Sequence, residues 1–189
     1  MKLKLIGVGL VLALAGVAAA VAIGAMGGGI SVAPKDAAGV ITISGIDGGD
    51  PGSPTIDVMS FSWGASNTFT GSHGGGGGAG KASFQDLSIT KLVDKASPML
   101  AKACATGQHI QTVILNVNRP NGPKGAPFMQ YKLDDVFVTS VSQGGSGGSG
   151  DTKPTENVSF AYGSIKQTYT TADGSETSFN FNIDDNRVG

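Results

Sequence analysis

Val40-Ile41-Thr42-Ile43-Ser44 alternates apolar and polar side chains and is rich in β-branched residues. Period-two alternation puts one set of side chains on each face of an extended chain, the mark of a half-buried strand. The same pattern recurs along the sequence. Ile56 to Trp63 follows Pro51, Gly52 and Pro54 and stops at Gly64. Ala82 to Thr90 has Phe84, Leu87 and Ile89 as apolar anchors, and Ile110 to Asn118 has Val113, Leu115 and Val117. Met129 to Val141, Val158 to Thr170 and Thr177 to Ile183 complete the set. The last two are separated by Ala172-Asp173-Gly174-Ser175, a hairpin turn signal. One helix is predicted. Ser97 can cap it, Pro98 suits its first turn and Gly107 its left-handed end. Met99, Leu100, Ala103 and Cys104 fall on one face, with Lys102 outward. The chain therefore reads as mainly β, antiparallel, with a single short helix packed on its side.

Composition narrows the function. Thirteen Lys and Arg against fourteen Asp and Glu leave a formal net charge of −1. A nucleic-acid binder would show clustered cations on a basic domain, so that class is excluded. Gly (31) and Pro (8) together make about a fifth of the 189 residues, below the ~25–30% that marks low-complexity chains. One folded domain over 40–189 is expected at this length.

The first 39 residues form a separate object. Lys2 and Lys4 precede an apolar stretch from Leu5 to Met26. A basic head and an apolar body open a secretory signal, and Ala18 with Ala20 or Ala20 with Ala22 could precede cleavage. The stretch is also long enough to cross a ~30 Å hydrocarbon core as a retained anchor. A start at Met26 is the third reading. Residues 27–39, opening on Gly27-Gly28-Gly29, read as a linker. Membrane contact is expected only through residues 5–26, if they are retained.

The motifs that could carry catalysis are each incomplete. Gly75, Gly80 and Lys81 have phosphate-loop spacing, but Ala82 replaces the hydroxyl that would hold Mg²⁺ and a strand follows in place of a helix. Gly144-Gly145-Ser146-Gly147-Gly148 matches the nucleophile-elbow pattern, yet it sits in a Gly/Ser run rather than a strand-to-helix turn. Two histidines (His73, His109) and the lone Cys104 do not make a structural zinc set. Cys104 reads as a small buried hydrophobe. Asp134-Asp135 and Asp184-Asp185 are expected on strands, where neighbours point to opposite faces, as solvated charge. Asn157-Val158-Ser159 matches a glycosylation acceptor, a three-residue pattern that arises readily by chance. No catalytic constellation emerges, and no enzyme, metal or cofactor is expected.

Several features in order resemble one family. Ser62-Trp63-Gly64 is followed by the glycine run Gly74 to Gly78 with Ala79-Gly80-Lys81. Then come Gln85-Asp86-Leu87, Thr90-Lys91, Asp94-Lys95, Ser97-Pro98, Cys104 and Gly107. Val141-Ser142, Gly144 to Gly148 and Pro154-Thr155-Glu156-Asn157-Val158 complete the match, which runs from about Val40 to about Asp185. The combination is similar to the haemolysin-coregulated protein (Hcp) family, the tube subunits of type VI secretion. The resemblance implies a compact antiparallel β-barrel of two packed sheets with a helix on its side. It also implies hexameric rings stacked into a hollow tube, small effector proteins in the lumen, and sheath and spike proteins as further partners. Ser146 matches a lumen-facing loop serine implicated in effector recognition, and Ser62 is the second lumen candidate. Gly74, Gly75, Gly76, Gly77, Gly78, Ala79, Gly80 and Lys81 are the candidate assembly loop, having few side chains to obstruct a close neighbour.

Residues 1–39 depart from the family pattern, whose subunits begin almost directly at the first strand. They point to export and a secreted or cell-surface protein, with the same fold building an extracellular filament without a sheath. The alternative is cytoplasmic assembly followed by release through the type VI machinery.

Overall fold

The computed structural model describes residues 37–48, 53–70, 78–119, 127–145 and 153–188. Eleven strands and one helix follow in the order β1 (Gly39–Ile43), β2 (Thr55–Val58), β3 (Ser60–Ser62), β4 (Ala65–Thr70), β5 (Gly78–Phe84), β6 (Leu87–Leu92), α1 (Ser97–Thr106), β7 (His109–Asn118), β8 (Pro127–Gly144), β9 (Thr155–Thr170), β10 (Glu176–Asn182) and β11 (Arg187–Val188). Every pairing among them is antiparallel.

The long strands β7, β8 and β9 divide the molecule into two layers because all three bend along one line. Buried Ile110 and Val113 flank Gln111-Thr112, buried Leu133 and Val136 flank Asp134-Asp135, and buried Tyr162 and Ile165 flank Gly163-Ser164. Thr112 pairs with Asp134 and Asp134 with Ser164, so the three double steps are in register. Two consecutive outward residues reset the period-two alternation, and strands that pass such a bend leave one sheet for the other. Asp135 makes its part of the bend at φ 55°, in the left-handed region. Gly163 lies opposite, where a Cβ would sit 3.1 Å from that of Asp135.

On one side of the bend, β2, β1, β7, β8, β9, β10 and β11 form the first layer. On the other, β3 and β6 join the first half of β9 and the second half of β8. Side chains of both layers fill one core, including Ile41, Ile56, Leu115 and Leu133 from the first and Leu87, Ile89, Val138 and Phe160 from the second. Aromatic rings bridge the layers: Phe61 of β3 stands 5.5 Å from Tyr131 of β8, and Trp63 stands 5.8 Å from the same ring. Opposite the bend, β2 and β3 are successive parts of one extended segment broken at Met59. Its first part pairs with β1 and its second with β6. No ladder joins β2 to β6 among the described residues, so the layers meet there through the chain itself and the sheet is not a closed barrel. The sequence-based expectation of a mainly β chain of two packed sheets with one short helix otherwise holds.

Three local expectations change. The segment Ala82 to Thr90 is not one strand: it breaks at Gln85-Asp86 into β5 and β6. β5 pairs with β4 as a hairpin that sits apart from the main sheet. The helix ends as expected, with Gly107 at φ 60° and the Gln108 N–H bonded to Ala103 O. At its start, however, Ser97 is the first helical residue and is buried, with Ala96 in the cap position. Met99 points outward, leaving Leu100 and Ala103 as the apolar contact and Cys104 half-buried.

The bend is sensitive to bulk at Gly163. Gly163→Val is expected to cost about 1–3 kcal/mol, as overpacking does, read as a lowered urea midpoint at unchanged slope.

Candidate functional site

The outer face of the second layer is a sheet of short neutral side chains. Ser62 pairs in register with Ser88, Ser88 with Ser159, and Ser159 with Ser140. The next row runs Ser60, Thr90, Asn157, Ser142. None of these eight is buried, while their strand neighbours Leu87, Ile89, Val158 and Phe160 are core residues. Cross-strand hydrogen bonds tie the rows: Ser88 and Ser159 share one at 2.8 Å, and the Thr90 hydroxyl donates to Asn157 Oδ1 at 2.7 Å. At the border, Thr139 donates to the Asp86 carboxylate at 2.6 Å. Hydroxyls donate and accept equally well. Such a face can hydrogen-bond many polar surfaces without a charge preference.

Directly beneath lies a buried charged cluster. Lys91 and Glu156, the register partners next to Thr90 and Asn157, are both fully buried. Lys91 Nζ donates to Glu156 Oε1 at 2.6 Å, to Leu92 O at 2.8 Å, and contacts Asp94 Oδ1 at 2.8 Å. Ser97 Oγ donates to Glu156 Oε1 at 2.7 Å while accepting the Asp94 N–H at 3.0 Å, which is why it is not free to cap the helix. Gln143 of β8 donates to the second Glu156 oxygen at 2.9 Å. Burial pushes the Glu156 carboxyl up. The hydrogen bonds from Lys91, Gln143 and Ser97, with the Lys91 charge, outweigh burial and leave it below the usual 4.5. A second latch joins the layers: Trp63 Nε1 donates to the Tyr162 hydroxyl at 2.6 Å, and that hydroxyl donates to Gln85 O at 3.0 Å. Burial raises the Tyr162 phenol to about 12, although the Trp63 bond works the other way.

The sequence-predicted residues distribute unevenly over these features. Ser62 is exposed on β3, within the hydroxyl face. Ser146 and Gly74, Gly75, Gly76 and Gly77 lie outside the described residues. Gly78, Ala79, Gly80 and Lys81 open β5, so Lys81 stands exposed on a hairpin rather than at a helix N-terminus. Gly80 is needed there, since a Cβ would fall 2.5 Å from the carbonyl oxygen of Thr68. The expectation that Asp134 and Asp135 point to opposite faces is overturned by the bend. Both turn away from the core, Asp134 toward Thr112 and Lys132, and Asp135 toward His109 at 3.1 Å. Asp184 and Asp185 occupy the turn between β10 and β11, not a strand. The seven companions of Ser62 were missed individually. The available signal was the polar half of each alternating strand, but register decides which polar residues meet.

The Lys91–Glu156 pair carries a sharp energetic signature. Lys91→Met should destabilise by about 3–5 kcal/mol, because it leaves a buried carboxylate unpaired. Lys91→Met combined with Glu156→Leu should recover much of that loss in urea unfolding. Since the folded-state Glu156 pKa is lowered, its contribution is complete above about 4.5 and disappears as pH falls through the lowered value. In the double variant that acid-linked loss should shrink.

A family model described as type VI secretion system effector, Hcp, matches residues 40–169. The Pseudomonas aeruginosa protein named Protein hcp1 is 38% identical over 112 residues, covering 56% of this chain and 68% of that protein. A solved structure described as a type six secretion system protein superposes with a TM-score of 0.72 at 29% identity, covering 80% of this chain and 98% of its own. Hcp1 from Salmonella typhimurium superposes at 0.65 with 28% identity, covering 80% and 97%. With the family model spanning well over half the sequence, this chain belongs to the Hcp family of type VI secretion system proteins.

Proposed function

We propose that this chain is a tube subunit of a type VI secretion system, assembling as hexameric rings that stack around a lumen. In this reading the hydroxyl face of β3, β6, β9 and β8 lines that lumen and contacts small effector proteins. The observation that carries it is the neutral eight-residue face containing Ser62. A wall of hydroxyls holds a polar cargo by weak neutral hydrogen bonds, each worth about 0.5–1.5 kcal/mol, and lets it slide. Ser146 is a further cargo contact by family resemblance. The glycine-rich segment from Gly74 to Lys81 meets a neighbouring copy, and sheath and spike proteins are the outer partners. No reaction is assigned to the chain.

A second reading rests on residues 1–26. Their basic head and apolar body suit export or anchoring, and an exported copy would build an extracellular or cell-surface filament without a sheath.

Ser62→Gln and Ser146→Gln should each leave ring formation intact while lowering co-purified cargo about two- to tenfold, the span of one neutral hydrogen bond. Unchanged cargo in both variants removes the lumen assignment. Intact mass of the protein from cells and from medium separates the routes. A start near Ile23 supports signal cleavage and the filament. A start near Met26 in cytosol and medium alike supports the secretion tube. Full length in membranes means an anchored ring.

A further inference from the structure

Beyond the hydroxyl rows, the outer face of β8 and β9 changes character. Phe137 pairs with Ala161 and keeps 41% of its surface exposed. His109, its register partner on β7, stacks edge-on against it at 5.4 Å between ring centres. Next along β8 comes Asp135, whose side chain is 70% exposed and touches His109. Asp184 stands across Gly163 from it: a Cβ on Gly163 would be 3.1 Å from Asp135 Cβ and 3.4 Å from Asp184 Oδ2. An exposed aromatic anchor with carboxylates at its rim is the composition of a docking patch for a cation-bearing protein surface.

The same chain carries a surface of the opposite sign. Over residues 65–84, Lys81 is the single Lys, Arg, Asp or Glu. It lies on the β4–β5 hairpin, whose strands pair with no other strand among the described residues. Ala82 and Phe84 pack toward the core, while Lys81 and Ser83 face outward. Ring closure requires two different patches on each copy, one docking on the other in the neighbour.

We infer that the patch of Phe137, His109, Asp135 and Asp184 receives the outward face of the β4–β5 hairpin of a second copy, with Lys81 meeting the two carboxylates. This rests on the ring reading above, and it supplies that reading with a specific head-to-tail contact. Phe137 is the apolar anchor, and the charges set orientation and register.

The test follows assembly of the full-length chain recovered from cells by sedimentation velocity over a concentration series. Lys81→Glu and Asp184→Lys should each raise the concentration for half-maximal assembly about three- to tenfold, as expected when an exposed ion pair becomes repulsive. Combining them should return it to within about twofold of the wild type, since the two sites couple only if they touch. That rescue also excludes misfolding. Phe137→Ser should weaken assembly more than either charge change. If Lys81→Glu assembles like the wild type, or the double variant shows the product of the single effects, the docking inference is overturned and the ring reading stands. A wild-type chain that remains monomeric throughout overturns both.

Discussion

The buried Lys91–Glu156 pair is the constraint on which the second layer depends. A charge with no solvent exposure is tolerable only when its partners are complete, and here each is. Lys91 has a carboxylate, a carbonyl and a second carboxylate around one ammonium. Glu156 receives donors from β6, α1 and β8. The pair therefore fixes three relationships together: the register of β6 on β9, the seat of the helix start, and the approach of β8 at Gln143. The buried apolar residues Leu87, Ile89, Val158 and Phe160 already disfavour a one-residue slip, which would turn them outward; the charged pair adds that any slip would leave two buried charges unpaired. The hydroxyl face inherits its order from this anchoring, because Thr90 and Asn157 are the residues immediately beside the pair.

The three-strand bend is the second constraint, and it explains how one set of strands builds two layers. Each of β7, β8 and β9 spends two consecutive residues on the outside, so the core-facing set changes parity at the same line. The cost falls on Asp135, which takes a left-handed conformation, and on Gly163, which leaves room for it. The gain is a core shared between the halves of continuous strands, with Tyr131 reaching Phe61 and Trp63 across the gap.

Most of the fold was legible because alternation is a local property. Val40 to Ser44, Ile110 to Asn118 and Val158 to Thr170 could be read as strands from their own residues. Gly107 and Pro98 marked the helix ends by backbone preference alone. The break at Gln85-Asp86 leaves only a short local trace, two consecutive polar residues that shift the apolar set from Ala82 and Phe84 to Leu87 and Ile89; the hairpin pairing of β5 with β4 makes it a change of strand rather than a bulge. Ser97 misled for a related reason: its hydroxyl is a good cap, but Glu156, distant in sequence, takes it. Of the candidate site, Ser62 was visible through its place beside Trp63. Its seven partners were ordinary strand serines, threonines and asparagines until register assembled them.

The class of the chain, its near-zero net charge of −1, the positions of most strands and the helix, and the motif set by which its family is recognised follow from the residues alone. Those depend on side-chain periodicity and on residue types with strong local preferences. Tertiary structure decided which motif pieces touch. Thr90-Lys91 and Glu156-Asn157 are 65 residues apart, and nothing local states that they are cross-strand partners around one buried charge pair. It also decided that Asp134 and Asp135 share a face, because a bend in register across three strands overrides the alternation that a single strand would obey.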